Sequence, residues 1–166
     1  WVWVELREVG NNTNVLASTS ALLQRDGDVV NYVDGTGTIK FGLAAGNYLL
    51  AINHRNHLGV MSGTLALDAA CKVIDFSDGS IPIYGSNAQT TFGTPSGVSA
   101  LWAGDSDGNN EVKFSGASND SNPVRDGVVN DAGNIFGSIS YTYSGYAMLD
   151  ASLNGEVKFS GESNDS

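Results

Sequence analysis

Short apolar runs recur along this chain at intervals of about 8–12 residues, with clusters of Gly, Asn and Asp between them, a rhythm that only short strands can follow. Gly 21, Ser 19, Asn 16 and Thr 9 together make 65 of the 166 residues, so turn formers outnumber the residues that would build long helices. Hydrophobic residues at 41% are still enough for a core. The expected fold is therefore mainly β, with a β-sandwich over residues 1–99 and a small repeat region over residues 100–166.

The first segment, Trp1-Val2-Trp3-Val4-Glu5-Leu6-Arg7, alternates with period two and puts Val2, Val4 and Leu6 on one face. Residues 11–14 read as a turn cluster, and residues 15–17 open the next run. Asp26-Gly27 separates residues 21–23 from residues 29–33, and Asp34-Gly35 precedes residues 38–41. Aspartate–glycine pairs supply the positive φ that tight hairpins require. Residues 46–54, 58–67 and 71–76 complete the expected strands.

Eight Lys+Arg against eighteen Asp+Glu give a net charge of -10. That balance excludes a binder of the nucleic-acid backbone and argues against an anionic membrane surface. No apolar run reaches the roughly 18 residues of a membrane span, and no signal-peptide features are present. The opening Trp1 suggests an internal or processed piece of something longer. One thiol, Cys71, excludes an intramolecular disulfide and any multi-cysteine zinc site. In its alternating context it is expected to be a small buried hydrophobe. His54-Arg55-Asn56-His57 ends a strand and enters a turn, with no third metal ligand nearby in sequence and no nucleophile motif beside it, so a packing role is expected. With no nucleophile elbow, phosphate loop or zinc motif, an enzyme is not expected. Trp1, Trp3, Tyr32 and Tyr84 are expected to pack in the core or at sheet edges, the alternative being a sugar-stacking platform.

The acidic charge is concentrated in the C-terminal part, and that part is a duplication. Residues 105–120 and 150–165 align at an offset of 45, with Glu-Val-Lys-Phe-Ser-Gly identical in both. Each copy opens with oxygens at alternate positions: Asp105, Asp107 and Asn109 in the first, Asp150, Ser152 and Asn154 in the second. Glu111 and Glu156 stand where a calcium loop offers a main-chain carbonyl, and the apolar Val112 and Val157 follow. Gly116 and Gly161 occupy the position where an EF-hand loop carries its bidentate acid. Asn119, Asp120, Asn164 and Asp165 are the expected replacements, with Asp120 and Asp165 closing the two sites across a short bulge. Calcium is the expected cofactor. Residues 121–133 are expected to form a short helix, capped by Asn122, with Pro123 in the first turn and Gly133 at its end.

Phe41-Gly42-Leu43-Ala44-Ala45-Gly46-Asn47-Tyr48-Leu49-Leu50-Ala51-Ile52 resembles the Gly-Leu…Gly-x-Tyr hairpin of prealbumin-like (Ig-like) sandwiches, in which Gly46 would allow the turn and Tyr48 would refill the core. The loop-then-helix order after Asp105 resembles the dockerin-type half of an EF-hand. Across nearly the full length, residues 53–61, 84–89, 100–105 and 112–120 are similar to segments in haemagglutinin-like and dockerin-like C-terminal regions of secreted surface proteins of Bacteroidota. The resemblance implies a secreted or cell-surface location. The expected function is a calcium-stabilised structural or adhesive module of a surface protein or appendage. Self-association into a filament would proceed by strand addition, through exposed edges and through the apolar first strand. The alternative is a carbohydrate- or protein-binding module, lectin-like or dockerin-like, with Trp102, Tyr141, Tyr143 and Tyr146 exposed near the loops.

Overall fold

The computed structural model describes residues 1–91 and 95–166. The chain divides into two compact units, residues 1–54 with 59–101, and residues 55–58 with 102–166. Strands dominate, and all pairings whose register is defined are antiparallel.

The large sheet has the order β3-β2-β1-β4-β5, with β6 also pairing β4. Its strands are β1 (Val2–Glu8), β2 (Asn11–Leu23), β3 (Val29–Asn31), β4 (Gly46–His54), β5 (His57–Met61) and β6 (Leu65–Leu67). A two-residue ribbon, β7 (Thr90–Thr91) with β8 (Ser99–Ala100), follows. The alternation of β1 is realised as expected: Val2, Val4 and Leu6 are buried. Val2 and Val4 pack with Ala21, and Val29, Ile39, Phe41, Leu50 and Ile52 close round them. On the opposite face Glu5 is nearly buried and accepts from the Trp3 indole at 3.0 Å and from Arg7 Nε at 2.7 Å. That face is thus sealed by a hydrogen-bonded charge pair rather than by apolar contact.

Five expectations are corrected here. First, β1 lies inside the sheet with β2 on one side and β4 on the other, so its main-chain groups are spent and it offers no edge for strand addition. The edges belong to β3 and to the β5 and β6 side. Second, residues 11–14 lie in β2; the chain reverses before them, at Gly10 with φ +94°, and the register slips between Leu6 and Glu8 absorb the polar run. Third, the run that was to extend to Val33 stops at Asn31, because the Asn31 side chain accepts the Val33 N–H at 2.8 Å and turns the chain. Residues 38–41 add no strand, although Ile39 and Phe41 still reach the core.

Fourth, residues 71–76 form no strand: aspartate side chains capture the amides of Ala70 and Ser77, Val73 is 93% exposed, and Cys71 is exposed rather than buried. Fifth, of the core or edge packing expected for Trp1, Trp3, Tyr32 and Tyr84, the core half is overturned, since each is 44–58% exposed; Trp1 leans on Tyr32 with ring centroids 6.2 Å apart. The conformation at Gly46 also differs in its reason. It opens β4, and the Tyr48 ring folds back over it to donate its hydroxyl to the Ala44 carbonyl at 2.6 Å.

The burial difference between two valines of similar sequence context is testable. Val4→Ala is expected to lower unfolding stability by about 2 kcal/mol, from lost transfer energy and a cavity. Val73→Ala is expected to stay within about 0.5 kcal/mol of the parent, both read from urea denaturation midpoints.

Candidate metal centre

The second unit is built round α1 (Ser121–Asn130) and the hairpin β9 (Thr142–Ser144) with β10 (Glu156–Lys158). Val124 and Val128, one turn apart, are fully buried against Val157 of β10, with Tyr141, Tyr143, Leu149 and Phe159 around them. Gly127 sits mid-helix, where glycine is usually costly, because a Cβ there would run into Leu149. The helix ends are set differently from the expected caps. Asp120 occupies the N-cap position without capping, and the Asn119 carboxamide oxygen instead accepts the Asn122 N–H at 3.0 Å. Asp131, with extended backbone, ends the helix ahead of Gly133.

The two acidic loops share most of their hydrogen bonds, although the amide given to the closing aspartate comes from Ser106 in the first and from Ser152, one position later, in the second. Asp105 accepts the amides of Asn109 at 3.0 Å and Asn110 at 3.2 Å; Asp150 accepts those of Asn154 at 3.1 Å and Gly155 at 3.0 Å. Asp120 accepts the Lys113 amide at 2.7 Å and returns its own N–H to the Lys113 carbonyl, and Asp165 does the same with Lys158. The side chains of Asn119 and Asn164 donate to Gly116 and Gly161. Positive φ also recurs at the same offset, at Ser118 and Ser163 and at Gly116 and Gly161. The eight-residue bulge that brings the closing aspartate home is therefore the same structure twice.

In the first copy, oxygens of Asp105, Asp107 and Asp120 lie within 4.8 Å of one another, with Asp105 and Asp120 buried and Asp107 open to solvent. No lysine or arginine is paired with any of the three among the described residues. Burial, helped by the charges of Asp120 and Asp107, pushes the Asp105 carboxyl above the usual aspartate range, while the Asn109 and Asn110 amides pull it back. Three carboxylates this close suit a hard cation that takes oxygen ligands. The remaining expected ligands are placed as follows. Asn109 donates to Asp107 at 2.9 Å and accepts the Glu111 amide, which leaves its side chain inside the loop but bonded to it. Glu111 and Glu156 turn their carboxylates outward to Lys113 and Lys158. The amides of Asn119 and Asn164 are engaged by the chain at both ends, as a helix cap in the first case and against Ser166 in the second. In the second copy Ser152 Oγ lies 3.5 Å from Asp150 Oδ1, and Asp165 accepts the Ser152 amide at 2.9 Å.

The copies differ in what covers them. Val157 is fully buried and Phe159 packs on the helix, whereas their counterparts Val112 and Phe114 are 41% and 79% exposed. Of the aromatics expected near the loops, Tyr141 and Tyr143 belong to the core, while Trp102 and Tyr146 are exposed. His57 Nδ1 donates to the Asn56 side-chain oxygen at 2.8 Å, and burial, with Arg55 beside it, lowers its pKa and favours the neutral ring. No known protein family, curated protein or solved structure matches this chain.

A raised Asp105 pKa has a sign that can be read out. In ion-free protein its contribution to stability is complete below the ordinary aspartate range and is lost as pH rises through the raised value, because folding then holds an ionised, buried carboxylate. A bound cation requires that same ionised form. The gap in melting temperature between divalent-cation and chelator samples is therefore expected to widen as pH rises from about 4 to about 7; a gap constant with pH would contradict the geometry.

Proposed function

We propose that this chain is a calcium-stabilised structural or adhesive module of an extracellular surface protein. The observation that carries the reading is the triad Asp105, Asp107 and Asp120, two of them buried, gathered within 4.8 Å by a loop whose backbone donors hold the carboxylates in place. A folded domain gains nothing from packing three unpaired anions together unless a cation offsets them. Extracellular calcium is plentiful enough that a dissociation constant of about 10⁻⁴–10⁻³ M suffices for a constitutive structural ion. The ion would supply rigidity: it cross-links the start of the loop, through Asp105 and Asp107, to its end at Asp120, next to the first residue of α1.

The secreted or cell-surface location rests on the resemblance of the sequence to Bacteroidota-type surface proteins, and the prealbumin-like sandwich on the motif at residues 41–52. Among the described residues no helix is long and apolar enough to cross a membrane. Self-association by strand addition, if it assembles a filament, would use β3 or the β5 and β6 side. The second reading, a lectin-like module, is favoured by one observation, the half-exposed Trp1, Trp3 and Tyr32 with Trp1 against Tyr32. Aromatic faces open to solvent are the surfaces on which sugar rings stack.

Calcium titration by calorimetry, with thermal melts in calcium and in EDTA, tests the leading reading. Saturable binding is expected, with a melting temperature several degrees lower in EDTA, and both effects lost in Asp105→Ala/Asp107→Ala. Absent heat and superimposable melts would remove calcium from the account. Glycan binding that survives EDTA but is lost in Trp1→Ala/Trp3→Ala would move the assignment to the second reading.

A further inference from the structure

The second copy carries fewer acids than the first, since Ser152 stands where the first has Asp107. Its two carboxylates, Asp150 and Asp165, are nonetheless buried, Asp150 to 2% exposure. A cation from outside the loop stands beside Asp150. Arg55 Nη2 lies 3.5 Å from Asp150 Oδ2, and the guanidinium is stacked on the Tyr146 ring, Cζ 3.8 Å from its centroid. The next residue fixes that arrangement: Asn56, fully buried, donates through Nδ2 to the Asp150 carbonyl and accepts the Gly104 amide at 2.9 Å. Arg55 Nε is itself buried without a partner, so the side chain accepts a desolvation cost to be where it is.

We infer that Arg55 is the resident cation of the second copy, so that the chain takes up one divalent ion, in the first copy, over the range where two equal sites would fill together. The inference rests on the calcium reading of the first loop. Formal charge decides the direction: three carboxylates lie together in the first copy, whereas in the second Ser152 replaces one of them and a guanidinium stands beside Asp150. Calcium affinity follows the number of charged ligands, and a preference of at least about tenfold for the first copy is expected.

Calcium titration of the full chain, read for stoichiometry, tests it. The parent is expected to bind one ion and Asp105→Asn/Asp107→Asn none, while Arg55→Gln/Ser152→Asp, which restores the acid and removes the guanidinium, binds two. Two equivalent ions in the parent, or one ion that survives Asp105→Asn/Asp107→Asn and disappears in Asp150→Asn, would overturn the inference and leave the calcium reading standing. No binding in the parent would overturn the calcium reading itself. The role of Arg55 is then judged in EDTA alone: a melting temperature lower by about 3 °C or more in Arg55→Gln supports it, and an unchanged one rejects it.

Discussion

Everything in the second unit answers to one electrostatic problem, the mutual repulsion of carboxylates that the chain itself brings together. Asp105, Asp107 and Asp120 come from the two ends of a sixteen-residue loop, and no local preference of the backbone requires them to meet. They meet because main-chain N–H groups are aimed at them: Asn109 and Asn110 toward Asp105, Ser106 and Lys113 toward Asp120. Such donors stabilise an anion and reduce the cost of burying it, but add no positive charge. The triad Asp105, Asp107 and Asp120 could hold a cation from solution, and in the proposal above Arg55 supplies the positive charge beside Asp150.

Duplication kept the loop and released the surroundings. Most of the bonds that shape residues 105–120 recur at residues 150–165, including the serine hydroxyls of Ser121 and Ser166 that donate to Phe114 and Phe159. The apolar residues within each loop have separate fates, because α1 packs on β10 and leaves Val112 and Phe114 open. Each loop is therefore a self-sufficient hydrogen-bonded object, and each copy's hydrophobic contribution depends on what lies beside it. That is the expected consequence of polar geometry being local and burial being tertiary.

The same division explains what could be read before any coordinates. Local devices were legible: the period-two face of β1, the turn at Gly27 with φ +99°, the helix opening near Pro123, and Asp120 four positions beyond Gly116. Properties set by neighbours were not. Residues 71–76 have the composition of a strand, yet aspartate side chains on both flanks compete for the backbone and no partner strand is supplied. Exposure of the aromatics, the interior place of β1, and the cap contributed by Asn119 all depend on contacts distant in sequence or on which of two adjacent amides wins a donor. Arg55 was hidden for the same reason. It lies 95 positions from Asp150, and nothing in its own neighbourhood points to a carboxylate.

The most direct measurement is diffraction from crystals grown in calcium, with anomalous data collected to locate the ion. The account predicts a peak between Asp105, Asp107 and Asp120, with 6–8 oxygens at about 2.3–2.6 Å and the loop hydrogen bonds to Asp105 and Asp120 retained. A triad holding only water in that crystal, or carboxylates splayed apart with their backbone donors released, would contradict it.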